Sequence, residues 1–247
     1  MIKTEGIVLS EIRFKETSKI LNVYTEKLGK ISIMAQGAYR PKSQLIAITQ
    51  PFSLVEFQLT KGKNLYYISQ ADLIQSYYSI RENMNRLTYG FYLLELIEKS
   101  IPEEEENQKL FSLLKKGLEY LSKENDKYLE FVVAYELKYI SFLGYRPFIN
   151  TCVVCEGDLT GKIKFSNLLG GVICSNCFSE DFTAKNIDIA IVKALNSLLY
   201  STFEGLFELK ISRDILIKLH EILVDYILFN IDRKEFKSLS LINTMLD

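Results

Sequence analysis

The chain has 247 residues, 48% of them hydrophobic, with 30 Lys and Arg against 31 Asp and Glu. That apolar content excludes a disordered chain and suffices for two or three cores, while a formal charge of −1 is by itself little sign of nucleic-acid binding. No apolar run reaches membrane-spanning length, and the opening MIKTEGIVLSEIRF interleaves charges too closely for a signal-peptide core, so a cytoplasmic protein is expected.

Residues 1–80 read as sheet. Gly6–Leu9, Ile20–Thr25, Lys30–Ala35, Phe52–Leu59 and Leu65–Ser69 are rich in β-branched and aromatic residues, with polar turns such as Glu26 to Gly29 and Lys61 to Asn64 between them. Five strands in so short a stretch predict a small closed barrel of the OB type, and pattern alone also admits an SH3-like barrel. This part holds ten Lys or Arg against six Asp or Glu, whereas residues 81–150 hold ten against twelve. A phosphate-binding face can therefore lie on the barrel without making the molecule basic, though an excess of four is also ordinary solvation. Between the third and fourth strands runs the loop Gln36 to Gln44, where Arg40 and Lys42 can meet phosphates and Tyr39 can stack on a base. The same loop reads equally well as a solvated turn with one packed aromatic.

From Asn83 the period changes from two to 3.6. Leu87, Phe91, Leu94 and Ile97 mark one helical face, Leu110, Leu113, Leu114, Leu118 and Leu121 a second, and Phe131, Tyr135, Leu137 and Phe142 a third. Ile187, Ile191, Ala194, Leu195 and Leu198 begin a fourth helix, Ile215 through Phe229 supplies a fifth, and 231–247 is left as a short terminal helix or tail. These stripes read as core. The acidic run Glu103 to Glu106 falls between helices and reads as a solvated linker.

Cys152, Cys155, Cys174 and Cys177 are the whole thiol content, two CxxC pairs eighteen residues apart. Each pair makes a knuckle, and Ile163, Phe165, Val172 and Ile173 suggest short strands between the knuckles, with Gly157, Gly161, Gly170 and Gly171 relieving turns. The pattern predicts one structural zinc per chain in a ribbon inserted between helices that pack together. The same thiolates would hold an iron–sulfur cluster, for which nothing else in the chain supplies a setting. Four sulfur ligands leave no coordination position for water, so hydrolytic zinc is excluded by the ligand set. His220, the one histidine, lies in a helical pattern and reads as a surface or half-buried residue rather than a ligand or base. There is no P-loop, GxGxxG, HExxH or GxSxG pattern, and no catalytic residue is assigned.

The order of these features resembles the RecO family of bacterial recombination mediators and DNA repair proteins. The resemblance is carried by Glu16-Thr17-Ser18-Lys19-Ile20, Gly29-Lys30-Ile31, Gly37 to Ser43, Gln50-Pro51-Phe52 and the late CxxC…CxxC, and it covers nearly the full chain. It implies an α+β protein with an OB-fold DNA-binding domain over 1–80 and a helical domain over 81–247, interrupted by a zinc module at 150–180. It implies a non-catalytic protein that binds single-stranded and duplex DNA and anneals strands coated by single-stranded DNA-binding protein. It further implies recognition of that protein's C-terminal tail, and work with RecR to load RecA at gaps and breaks. Residue by residue, the family's basic loop falls on Arg40 and Lys42, with Lys19 and Lys30 as further DNA contacts, and its zinc ligands fall on the four cysteines. Two positions depart from the family pattern. Tyr39 stands where a basic residue is common, exchanging a phosphate contact for stacking, and Lys15 stands where a glycine commonly precedes Glu-Thr. Rival readings are a zinc-stabilised transcriptional regulator or interaction module and, further off, a metal-dependent nuclease.

Overall fold

The computed structural model describes residues 1–123 and 126–246. They fall into two compact units, one of Met1–Glu124 with Phe236–Met245, the other of Asn125–Glu235.

The first unit is built on a barrel of β1 (Ile2–Phe14), β2 (Ser18–Thr25), β3 (Gly29–Ala35), β4 (Leu54–Lys61) and β5 (Tyr66–Gln75), with the one-turn helix α1 (Leu45–Ile48) between β3 and β4. The strands close in the order β1-β2-β3-β5-β4. All pairings are antiparallel except β3 with β5, where only Ile33 with Tyr66 and Met34 with Tyr67 face each other. This is the OB-type arrangement that the strand count predicts, and its core is Val8, Leu21, Val23, Ile31, Ile33, Val55, Phe57 and Leu59. Alternation drives these residues inward: β2 and β3 bury every second side chain over most of their length.

β1 is much longer than its apolar run. After a bulge between Val8 and Ser10 it continues to Phe14, pairing residue for residue with β2 and turning back through Lys15 to Thr17. Beyond the barrel wall, Ile12 to Phe14 are exposed, so this arm carries none of the burial pattern by which strands are recognised.

Two helices complete this unit. α2 (Met84–Ser100) and α3 (Gln108–Ser122) start on Asn83 and Asn107, whose side chains accept from the amides of Arg86 and Leu110. α2 packs on β1 and β2. There Glu98 accepts from Ser10 Oγ (2.8 Å) and from Asn22 Nδ2 (3.1 Å). Phe91, expected in the core stripe of α2, is 44% exposed. The acidic run is not a free linker: Glu103 bridges Lys30, the Glu104 amide donates to the Lys30 carbonyl, and the Glu104 carboxylate accepts from Lys61 and Tyr66. These hydrogen bonds, from Lys61 first, hold the Glu104 carboxyl below the usual range.

The second unit holds α4 (Tyr128–Phe142), a three-stranded sheet of β6 (Ile163–Ser166), β7 (Gly171–Cys174) and β8 (Lys185–Ile187) in the order β7-β6-β8, then α5 (Ile189–Tyr200) and α6 (Arg213–Asn230). α4 packs against α5 and α6 across the inserted sheet, as expected for helices flanking a ribbon. Phe131, Tyr135 and Tyr139 are fully buried, whereas Phe142, at the end of α4, lies outside the core at 39% exposure. Ile187 ends β8 rather than beginning a helix, and α5 starts only after Asp188, whose backbone is still extended. Phe165 of β6 meets Tyr226 of α6 edge to face at 5.3 Å, seating the sheet on the helices.

The closing segment belongs to the first unit. Glu95 of α2 accepts from the amides of Lys237 and Ser238 and from Ser238 Oγ (2.6 Å), and α7 (Leu239–Leu246) follows. No helix of the described residues is long and apolar enough to cross a membrane.

Candidate functional site

The four cysteines converge. Their sulfurs all lie within 4.8 Å of one another, with Cys155 to Cys174 at 3.7 Å and Cys174 to Cys177 at 3.8 Å. Sulfurs held about 2.3 Å from one tetrahedral ion sit about 3.8 Å apart, and a disulfide needs about 2.0 Å, so the spacing fits an ion and no disulfide is formed. The first knuckle is closed by the Cys152 amide donating to Gly157 O and the Glu156 amide donating to Cys152 O. The second begins at the end of β7, where the Cys174 amide points at Cys152 Sγ (3.4 Å).

Burial pushes the Cys152 thiol up, but amides from Cys155, Cys174 and Val154 outweigh it and bring the group down to about 6. Burial, with the neighbouring thiols, pushes Cys177 up to about 12. Thiols crowded this closely titrate as a coupled set, and a cation among them would favour the thiolate form of each. Cys155 is exposed and the other three are buried.

Gly171 holds the ribbon to the segment after α4. The Phe148 amide donates to Gly170 O and the Val172 amide to Phe148 O, so close that a Cβ on Gly171 would lie 2.4 Å from the Phe148 carbonyl oxygen.

His220 stands apart from the cysteines. It is 2% exposed, not on the surface, and its Nδ1 lies 2.8 Å from Oε1 of the fully buried Glu136. Burial disfavours the imidazolium, yet the charge and hydrogen bond of Glu136 outweigh it, and the pKa is raised above the usual histidine value.

On the barrel, the loop after β3 is pinned to the β1–β2 hairpin: the Tyr39 amide donates to Thr17 O at 2.9 Å. Successive turns, the Arg40 amide to Gly37 O and the Ser43 amide to Arg40 O, present Arg40 and Lys42 to solvent. Neither forms an ion pair among the described residues. Tyr39 is 43% exposed, and its ring already faces Arg13 (5.5 Å) and Lys19 (4.8 Å).

Lys19 and Lys30 are placed differently from what their motifs suggest. The Lys19 side chain is buried and its ammonium pairs with Glu11. Lys30 donates to the Glu98 carbonyl at 2.6 Å and sits at the start of β3, roughly 20 Å of strand away from the loop at its end. Arg13 and Lys15 at the hairpin tip are exposed instead. Their placement follows from pairing of the arm with β2, for which no local pattern is a signal. Lys15 takes a left-handed φ of 55°, the conformation for which a glycine is the usual choice.

Between the hairpin tip, the end of β3 and the β4–β5 turn lies an open groove of about 480 Å³, with Phe14, Lys15, Met34, Arg40, Leu65 and Tyr67 in its lining. In barrels of this topology the loops joining strands 1–2 and 4–5 flank the face that takes oligonucleotides. The groove is in that position.

Comparison with known proteins agrees with these features. A family model described as recombination protein O N terminal matches residues 1–77, and one described as recombination protein O C terminal matches 81–240. The chain is 37% identical over 241 residues to the DNA repair protein RecO of Alkaliphilus metalliredigens, covering 98% of both chains. It is 34% identical over 244 residues to that of Acetivibrio thermocellus, covering 99% of this chain and 97% of the relative. It is 33% identical over 245 residues to that of a Thermoanaerobacter species, covering 99% and 98%.

Proposed function

The chain belongs to the recombination protein O family, a premise from which we propose that it holds DNA backbones on its barrel through Arg40 and Lys42. It is a DNA-binding recombination mediator of DNA repair and, as a member of that family, not an enzyme. The observation that carries the DNA contact is the pinned loop that presents two exposed cations, neither in an ion pair among the described residues, with Arg40 lining a groove that contains no carboxylate. Charge-assisted contacts of this kind bind phosphates irrespective of sequence and weaken as salt rises. Tyr39 serves here to brace Arg13 beside the loop as well as to offer a ring. Lys19 and Lys30 are already engaged within the protein, Lys19 bracing the β1–β2 hairpin through Glu11 and Lys30 tying β3 to α2.

Bringing two coated strands onto one molecule raises their local concentration, and base pairing then supplies the annealing free energy. The partners in this reading are the C-terminal tail of single-stranded DNA-binding protein, taken by the helical part, together with RecR and, downstream, RecA. The site of action is the cytoplasm, at the nucleoid during repair. Residues 1–80 act as the DNA-binding domain and 81–247 as the helical domain. One zinc ion per chain is held by Cys152, Cys155, Cys174 and Cys177, with 150–180 as its module. Bound there, the ion ties both knuckles together and offers no open position for chemistry.

The test is annealing of complementary strands, bare and coated with the cognate single-stranded DNA-binding protein. Acceleration of both reactions, without sequence preference and without cleavage in magnesium or manganese, is the expected result. Folded protein that ignores both kinds of strand at low ionic strength defeats the reading, and preference for one duplex sequence without annealing points to a regulator instead.

A further inference from the structure

We infer that the groove at the barrel's β1–β2 tip is a single-strand-selective subsite in which Tyr67 and Phe14 stack on unpaired bases while Lys15 and Arg40 hold the flanking phosphates. The inference rests on the DNA-binding reading above and adds which nucleic acid the groove takes and through which rings.

Tyr67 and Phe14 are 41% and 36% exposed, and both line the groove. Large aromatic surface left in water along a basic groove is the arrangement that single-strand binders use, because every base has a π-face to offer once it leaves a duplex. In a duplex those faces are covered by neighbouring pairs, so the exposed rings have no base face to stack on. The cations Lys15 and Arg40 line the same groove, with no carboxylate in the lining, which suits the phosphates of a polyanion.

The Tyr67 ring is also held in place. The β4–β5 turn closes with the Gly62 amide donating to Leu65 O at 2.9 Å, and Gly62 lies so near the ring that an added Cβ would meet it at 2.6 Å. Glycine at this turn lets the ring lie flat against backbone, so little freedom remains to be lost on binding. Tyr39 has Arg13 and Lys19 over its ring, and Phe14 has Lys15 over its own at 5.4 Å, whereas the Tyr67 ring faces no cation among the described residues. The leading stacking ring is therefore Tyr67, with Phe14 and its Lys15 beside it.

Binding of the full-length protein to a labelled mixed-sequence single strand and to a blunt duplex of equal length decides the matter. Tyr67→Ala and Phe14→Ala each lower single-strand affinity by about fivefold or more, change duplex affinity by less than about twofold, and leave the single-strand salt slope in place, while Tyr67→Phe retains binding. The chain contains no tryptophan, so Tyr67→Trp provides a lone reporter whose fluorescence is quenched by the single strand and not by the duplex. Equal losses on both substrates, no loss on either, or an unquenched reporter overturns the inference. If the wild-type protein binds neither substrate, the DNA-binding reading itself falls. If Arg40→Ala with Lys42→Ala weakens both while the aromatic variants do not discriminate, only the stacking subsite falls.

Discussion

Replacement of His220 by leucine keeps much of the side-chain volume in the second unit while removing the imidazole that lies 2.8 Å from the Glu136 carboxylate. Glu136 is fully buried, so its carboxylate loses that compensation where water cannot replace it. Breaking such a pair by removing one partner costs about 3–5 kcal/mol, whereas replacing both by apolar groups of similar size costs little or stabilises. His220→Leu should therefore lower the unfolding free energy of the second unit by about that much near neutral pH, and Glu136→Met in the same chain should restore most of it. The pH dependence follows from the raised pKa of His220. Its proton is held more tightly in the folded state, so the stabilisation is fully present below the unfolded value of about 6.5 and is lost as pH rises through the folded value. Hydrogen exchange of the α4 and α6 amides reads this locally, which matters in a chain of two compact units that need not unfold together. The wild type's advantage over the double variant should shrink as pH rises above about 6.5 and through the raised folded-state value. A single-variant loss below about 1 kcal/mol, or an advantage that does not change with pH, refutes the reasoning.

Arg40→Ala with Lys42→Ala should weaken binding to many DNA sequences alike and reduce the single-strand salt slope by about 1.4, two phosphate contacts at roughly 0.7 apiece, with the circular dichroism spectrum unchanged; an unaltered slope rejects the contact. Protein purified without chelator should contain one zinc per chain by elemental analysis, and Cys174→Ser should lose the metal and destabilise the ribbon, since metal binding in such modules is folding energy. Gly171→Ala forces a methyl against the Phe148 carbonyl and should cost about 1–3 kcal/mol, read as faster zinc release to a chelator; a release rate equal to wild type contradicts the close approach.

Much of the architecture was legible because its signals are local. β2 and β3 begin within two residues of their expected starts, since alternation with one buried face marks a strand wherever it occurs, and the two CxxC knuckles specify their own meeting. What escaped depends on pairings remote in sequence. β1 runs five residues beyond its apolar stretch because β2, not burial, holds the arm. Glu95 captures Ser238 from 143 positions away, a contact no window of sequence contains. Lys19 and Lys30 sit in matching motifs, yet whether a lysine faces solvent or a carboxylate depends on register: Lys19 lies near Glu11 only because Arg13 pairs with it across the hairpin. Phe91 and Phe142 fell on apolar stripes that the surrounding elements do not fully cover. The cations Arg40 and Lys42 were legible as loop residues; the groove beside them was not, since its floor is assembled from β1, β3 and β5.

The barrel is sealed by a parallel seam only two residue pairs long, and Tyr67 belongs to one of them. A ligand gripping Tyr67 on one side of that join and Arg40 beyond the other acts as a clasp over the least reinforced line of the wall. Occupancy of the groove would then be felt as mechanical closure of the barrel, greatest at Ile33, Met34 and Tyr66, where few backbone bonds otherwise resist opening.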